Sequence, residues 1–124
     1  MSHREFNNPG LKALLDLDGE IFPMDNGFWT KIDAKMVIQS DKIPHGVRYS
    51  LTLHNKRNLR VLGYDNAHRF RGGRKGFGIK TTEWDHKHEG SKVKPYEFKN
   101  TGQLLKDFWT DVERIIDATQ RQVP

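Results

Sequence analysis

Alternating apolar and polar residues near the middle of the chain predict β-strands. In residues 32–38 the apolar side chains fall on even positions, and in residues 47–54 they fall on odd positions. Because successive side chains of a strand point to opposite faces of its sheet, each segment has one apolar and one polar face. We therefore predict two half-buried strands, with Arg48 on the polar face of the second one.

Three more strands are predicted further along the chain. Residues 55–58 have the composition of a hairpin loop, and residues 59–65 form the next predicted strand, with apolar groups on both of its faces. The stretch 84–98 is predicted to hold a pair of strands joined by a turn at Glu89-Gly90-Ser91. Between these regions, residues 69–80 are rich in glycine and cations, a composition that builds no core, so we predict a mobile basic loop.

The clearest periodicity begins at Asn100, which together with Gln103 has the spacing of a capping box at a helix start. Apolar residues then recur at helical spacing, at Leu104, Leu105, Phe108, Val112, Ile115 and Ile116. They form one apolar stripe, and the other side of the helix is charged. We predict a helix over residues 100–120 whose stripe packs on the sheet.

The order of the predicted elements, strands followed by one helix, indicates an α+β fold. We expect a mostly antiparallel, twisted β-sheet with the C-terminal α-helix packed across one face. The length of 124 residues fits a single domain, with the sheet core over residues 28–98. The pattern does not decide the structure of residues 1–27, where Leu11–Leu15 is compatible with a short helix or with a first strand.

The charge is concentrated in the middle of the chain. From Lys42 to Lys94 there are 13 basic and 4 acidic residues, whereas the rest of the chain has 8 basic and 12 acidic residues. A positive field of this kind attracts phosphate backbones or an acidic protein partner. A solvated basic face with no specific partner fits the charge as well.

Several classes of protein are disfavoured by the composition. The chain has no cysteine, which excludes disulfide scaffolds and thiolate metal sites. It has no long apolar run and no apolar segment behind its first residues, so we predict neither a membrane span nor a secretory signal. No dinucleotide fingerprint or phosphate-binding glycine loop precedes a helix. We therefore expect a cytoplasmic protein that uses no cofactor.

Candidate chemistry centres on His86 and His88, which point to the same face if their segment is a strand. Two imidazoles side by side act as general base and general acid in phosphodiester cleavage, because their reference pKa lies near neutrality. They also bind metals, but a metal site needs further ligands, and the sequence does not place one. A pair of surface histidines without a chemical role is an equally good interpretation.

Two residues of an earlier predicted strand complete the catalytic candidates, and a set of mostly basic residues is the candidate for binding nucleic acid. Tyr64 and Asp65 offer a phenol and a carboxylate at the end of a predicted strand, although such residues are also common in turns. The candidate nucleic-acid-binding residues are Arg48, Arg60, His68, Arg69, Arg71, Arg74, Lys75 and Lys87. In such segments cations contact phosphates and aromatic side chains stack on bases.

Five short motifs share their order and spacing with a known family. They span residues 45–51, 60–68, 85–88, 95–98 and 104–113, and the second one contains Gly63-Tyr64-Asp65-Asn66. On these motifs the chain resembles the TumE family, over about Trp29 to Ile116. The resemblance implies a toxin of a type II toxin–antitoxin module, growth inhibition, and a cognate antitoxin of the DNA-binding kind.

Our leading hypothesis is therefore a toxin that acts on RNA as a metal-independent ribonuclease. One of His86 and His88 would take the 2′-hydroxyl proton, and the other would protonate the leaving oxygen. Two alternatives stay open: a module that binds nucleic acid or protein without catalysis, and, more weakly supported, a metal-dependent nuclease. The sequence leaves the oligomeric state open, a homo-oligomer included.

Overall fold

The computed structural model of the chain describes residues 8–41, 43–66 and 85–121. Along these residues the elements are helix α1 (Leu11–Asp16), strand β1 (Ile21–Pro23), a 3₁₀ turn (Asp25–Gly27), strands β2 (Trp29–Met36), β3 (Val47–His54), β4 (Arg60–Asp65), β5 (His86–Glu89) and β6 (Lys92–Pro95), and helix α2 (Thr101–Arg121). The strands form one sheet in the order β1-β2-β3-β4-β5-β6, and every neighbouring pair is antiparallel. The predicted α+β fold, an antiparallel sheet followed by a C-terminal helix, is confirmed.

The core lies between one face of the sheet and the helices. The odd positions of β3 supply four of its residues, each at most 2% exposed. From α2 the buried members are Leu104, Phe108, Val112 and Ile116, while Leu105 and Ile115 are partly buried against them. The predicted helical stripe is thus the surface with which α2 covers the sheet.

The first turn of α2 shows half of the predicted capping box. The side-chain oxygen Oδ1 of Asn100 accepts a hydrogen bond from the backbone N–H of Gln103 at 2.8 Å. The side chain of Gln103 does not return to Asn100 but donates to Oδ1 of Asp107 at 2.8 Å. Asn100 therefore caps the helix, and Gln103 braces its next turn.

The N-terminal segment, which the sequence left undecided, joins both the sheet and the helix layer. Leu11 and Leu14 of α1 are buried in the core, and β1 extends the sheet ahead of the predicted 28–98 core. The hydroxyl of Thr101 donates to Oδ1 of Asn8 at 2.8 Å, so the start of α2 is tied to the chain before α1. A Cβ on Gly10 would lie 2.6 Å from Cα of Gly102, a contact that only a glycine allows.

Strand β2 ends earlier than the alternation predicts. Met36 is its last residue, and the next even apolar residue, Ile38, is 90% exposed. The alternation of apolar and polar residues therefore continues in the sequence beyond the point where the strand ends. None of the helices in the described ranges is both long and apolar enough to cross a membrane.

Candidate functional site

The sheet face opposite α2 carries most of the described candidate residues, and we call it the open face. Its members on β3, β4 and β5 are Arg48, Ser50, Thr52, His54, Arg60, Gly63, Asp65, His86 and His88. The register places Asp65 opposite His86 and Gly63 opposite His88. Five of the predicted site residues with charged or titratable side chains are therefore brought to one surface: Arg48, Arg60, Asp65, His86 and His88.

His88 and Asp65 lie close together on this surface. Nε2 of His88 lies 3.5 Å from Oδ2 of Asp65, and the two side chains are 23% and 19% exposed. The ring of His86 follows on the same strand, with its centroid 6.2 Å from that of His88. The geometry gives one imidazole a carboxylate partner and sets a second imidazole beside it.

A β-bulge brings Arg60 to the open face. The register shifts between Leu53 and His54, so that Arg60 pairs with His54 and Val61 packs against the core together with Leu62. The sequence predicted apolar groups on both faces of this strand. Instead, the neighbours Val61 and Leu62 both lie on the core side, because a bulge interrupts the alternation. Arg60 and Gly63, three positions apart, then lie on the same face of the sheet.

The side chain of Arg60 lies over Gly63. A Cβ on Gly63 would be 3.3 Å from Nη1 of Arg60 and 3.4 Å from its Cδ. The missing side chain leaves a groove across β4, and the guanidinium occupies it. This cation sits between the strands that carry His54 and His88.

The surroundings of His88 favour its neutral form. Burial lowers the pKa of His88 below its ordinary value of 6.5, and the charges of Arg60 and His86 lower it further, while Asp65 opposes them. Burial and the charge of Arg60 also lower the pKa of His54. A neutral imidazole can accept a proton, which is the requirement for a general base near neutral pH.

The open face ends in an aromatic pair that was not among the predicted site residues. The ring of His54 stacks on Trp29, with centroids 4.0 Å apart and planes 9° apart, and its Nε2 shares a 3.0 Å hydrogen bond with Oγ1 of Thr52. The signal was present in the sequence, because the alternation of β3 puts His54 on the same face as Arg48.

Tyr64 and Lys87 lie on the other side of the sheet. Tyr64 is 2% exposed, and its hydroxyl donates to Oδ2 of Asp111 on α2 at 2.6 Å. Nζ of Lys87 forms an ion pair with the same carboxylate oxygen at 2.8 Å. The structure does not bring these two predicted site residues together with the histidines; it joins them to the helix.

The other polar residues of the motifs have contacts that hold the sheet together. Asn66 is fully buried, and its side chain accepts from the N–H of Tyr49 at 3.0 Å and donates to the carbonyl of Val47 at 2.7 Å. Asp85 accepts the hydroxyl of Tyr49 at 2.7 Å and lies 3.1 Å from Nε2 of His45. These contacts fasten the end of β4 and the start of β5 to β3.

The remaining predicted cations belong to a part of the chain outside the described residues. They are Arg69, Arg71, Arg74 and Lys75, within the predicted basic loop, and His68 just before it. In the ranges that the structure describes, no group of three or more His, Asp or Glu side chains has the arrangement of a metal site.

Comparison with known proteins adds a family to this geometry. The family model of toxin TumE matches residues 17–116 of the chain. No curated protein and no solved structure matches it significantly. The matched segment runs from the end of α1 into α2 and includes the open face and the motifs on which the resemblance was stated. The chain therefore belongs to the TumE family of toxins, which implies a toxin role and an antitoxin as partner.

Proposed function

We propose that this protein is the toxin of a type II toxin–antitoxin module and that it cleaves RNA on its open face without a metal ion. The observation that carries the proposal is the 3.5 Å approach of His88 to Asp65, with His86 on the same strand and face. Family membership supports the toxin role, and the excess of cations between Lys42 and Lys94 supports a phosphate-rich target.

In the proposed reaction, neutral His88 takes the proton of a ribose 2′-hydroxyl, and the 2′-oxygen attacks the adjacent phosphorus. The bond from phosphorus to the 5′-oxygen breaks, and His86 in its protonated form gives its proton to that leaving oxygen. The products are a 2′,3′-cyclic phosphate and a 5′-hydroxyl. Asp65 stabilises the imidazolium that forms on His88, and Arg60 holds the phosphate oxygens as negative charge develops on them.

The proposed partner fits the same face. Arg48 and Arg60 are exposed and positively charged there, so an acidic segment of a DNA-binding antitoxin would cover them and block the RNA. Charge reversal at Arg48 or Arg60 is expected to weaken that complex, and a matching reversal in the antitoxin to restore it. A complex that tolerates every single reversal would contradict this contact.

The test is incubation of the purified protein with total cellular RNA, with and without chelator. Cleavage is expected to survive the chelator and to fall by about 100-fold or more in the His86→Ala/His88→Ala protein, because acid–base catalysis contributes a factor of this size. His3→Ala serves as the control histidine, and thermal unfolding checks that each variant is folded.

A double variant that cleaves as fast as the natural protein would contradict the assignment of the histidines. Loss of cleavage with chelator would instead favour the metal-dependent alternative. The second candidate function, binding without catalysis, is supported by the exposed Arg48 and Arg60 on the open face. It predicts growth inhibition and RNA binding with no new RNA termini.

A further inference from the structure

A cleft lies on the α2 side of the sheet, away from the open face. It has a volume of about 470 Å³ and sits between the β3–β4 hairpin loop and the second half of α2. Its apolar lining comes from Phe28, Leu59, Val61 and Ile115, and Lys56 and Arg57 stand at the loop side. Leu59 is 59% exposed, so a large aliphatic side chain is accessible beside the cleft.

The loop that presents Leu59 is held in place by several contacts. The side-chain oxygen of Asn55 accepts the backbone N–H groups of Arg57 at 2.9 Å and of Leu59 at 3.1 Å. The indole Nε1 of Trp29 donates to Oδ1 of Asn58 at 3.0 Å. Leu59 is therefore fixed in its exposed position by the loop itself.

A second turn closes the other side of the loop. A Cβ on Gly27 would lie 2.6 Å from Cβ of Lys56, so the two turns are packed as closely as their backbones allow. Gly27 also has φ +80°, a conformation that favours glycine. The walls of the cleft are thus preorganised, and a ligand need not order them on binding.

The charges of the cleft indicate the chemistry of its occupant. Lys56 and Arg57 form no ion pair within the described part of the chain, so two cations stand beside exposed aliphatic surface. Acidic residues complement such cations, and an apolar side chain gains by burial against Leu59 and its neighbours.

We propose that this cleft binds an acidic peptide segment of a protein partner, with one large apolar side chain of that segment against Leu59, Val61 and Ile115. A volume of this size accommodates one or two side chains. The exposed lining is aliphatic, whereas single-stranded RNA prefers aromatic rings on which its bases stack. The proposal needs a protein partner, which the toxin family implies, but not RNA cleavage.

The probe is a displayed library of short random peptides, selected against the full-length protein. Enriched peptides are expected to combine Asp or Glu with a Leu, Ile or Phe. Leu59→Ser should weaken their binding about tenfold or more, as should Lys56→Glu combined with Arg57→Glu. The matched control is Ile21→Ser, because Ile21 is 54% exposed, lies on the edge strand β1 and does not line the cleft. Binding should also weaken as salt concentration rises.

Nuclear magnetic resonance then locates the peptide on the isotope-labelled protein. The expected result is that amide signals of Leu59, Val61 and Ile115 shift, with little change at His86 and His88. Enrichment of peptides without acidic residues, or equal binding to the Leu59→Ser protein, would overturn the proposal. So would an oligouridine RNA that shifts the cleft signals while the peptides do not. Since none of these readouts depends on cleavage, failure here is distinct from failure of the proposed ribonuclease.

Discussion

Gly63 and the bulge beside it decide where the charge of Arg60 lies. The bulge turns Arg60 to the open face, and the missing side chain of Gly63 lets the guanidinium lie across β4. From there its charge reaches the imidazoles of two neighbouring strands, and it lowers the pKa of both His54 and His88. One backbone irregularity thus adds to the effect of burial, which is the larger cause of the lowered pKa of both side chains.

Arg60→Ala is expected to raise the pKa of both His54 and His88. Removing the cation removes part of the repulsion that disfavours each imidazolium, and in His88 the opposing effect of Asp65 remains. Titration of the imidazole signals by nuclear magnetic resonance measures both values in one sample. Arg121→Ala, at the far end of α2, is the control and should leave them unchanged. Identical titration curves in the natural and Arg60→Ala proteins would refute the assigned cause.

The side chain of Asn66 makes hydrogen bonds to the backbone of β3 that a neighbouring strand would otherwise make. Its removal should lower the free energy of unfolding. Asn66→Ala would leave the buried N–H of Tyr49 and the carbonyl of Val47 without these partners. We expect the free energy of unfolding to fall by about 2–3 kcal/mol, since unpaired buried groups retain their desolvation cost. Urea unfolding measures it. Asn100→Ala, which removes a helix cap, should cost only about 1 kcal/mol. The reverse order of the two variants would contradict this account.

The sequence singles out residues 63–66 as a motif but not the contact of each member. The bulge, at which Arg60 pairs with His54, interrupts the alternation. The face on which each later residue of β4 lies therefore cannot be predicted by counting from the first residue of the strand. Tyr64 and Asp65 are adjacent in the chain and both were catalytic candidates, yet they face opposite sides of the sheet. Strand alternation alone puts them on opposite faces, but only the fold gives their partners, Asp111 for Tyr64 and His88 for Asp65.

Helix α2 is joined to the sheet by polar contacts as well as by its apolar stripe. Asp111 accepts the hydroxyl of Tyr64 and pairs with Lys87, while Arg114 makes two hydrogen bonds, of 3.0 and 2.8 Å, to Glu89 at the end of β5. These contacts connect the helix to β4 and β5, the strands that carry Asp65 and His88 on their other face. The polar contacts therefore fix the position of the candidate site from behind.

Asp111→Ala is expected to lower the free energy of unfolding by about 2–4 kcal/mol, because it leaves partly buried Lys87 without its carboxylate. The hydroxyl of Tyr64 then keeps only the longer contact, of 3.4 Å, to the carbonyl of Asp107. Asp117→Ala is the matched control, an exposed carboxylate on the same helix, and should change stability little. Urea unfolding compares them, and equal effects would show that the contacts of Asp111 contribute nothing.

Elements with a strong period were predicted well, whereas the short elements at the N-terminal end were left undecided. The stripe of α2 and the alternation of β3 repeat several times, so both elements follow from the sequence. Helix α1 has six residues and β1 has three, which is too few for a period to show. A helix as short as α1 depends on burying Leu11 and Leu14 against the rest of the molecule, which no local pattern reveals.

The stability of the whole molecule should fall in two steps as the pH is lowered. The pKa values of His54 and His88 lie below 6.5, so below that pH the unfolded chain binds protons that the folded one does not. The hydrogen bonds from Arg114 lower the pKa of Glu89 below 4.5. For Asp111 burial acts to raise the pKa, but Lys87 and Tyr64 outweigh it, and the net value lies below 3.8. The stability due to these carboxylates is present above their unfolded pKa and is lost as the pH falls through the folded one.

Thermal unfolding midpoints across the pH range test this expectation. His88→Ala should reduce the step that begins near pH 6.5, and Arg114→Ala should reduce the step below about pH 4.5. Asp117→Ala again serves as the control. A midpoint that stays constant from neutral pH down to about pH 4 would contradict the lowered histidine pKa values.

The connectivity of the strands has a consequence for the synthesis of the protein. Each strand pairs with its neighbour in sequence, so hairpins can form one after another as the chain leaves the ribosome. The apolar face of the sheet, however, is covered by α2, which follows every strand, and α1 is fastened to the start of α2 through Asn8 and Thr101. A nascent chain that lacks α2 therefore has no closed core, and the toxin becomes a folded protein only after translation has passed this helix.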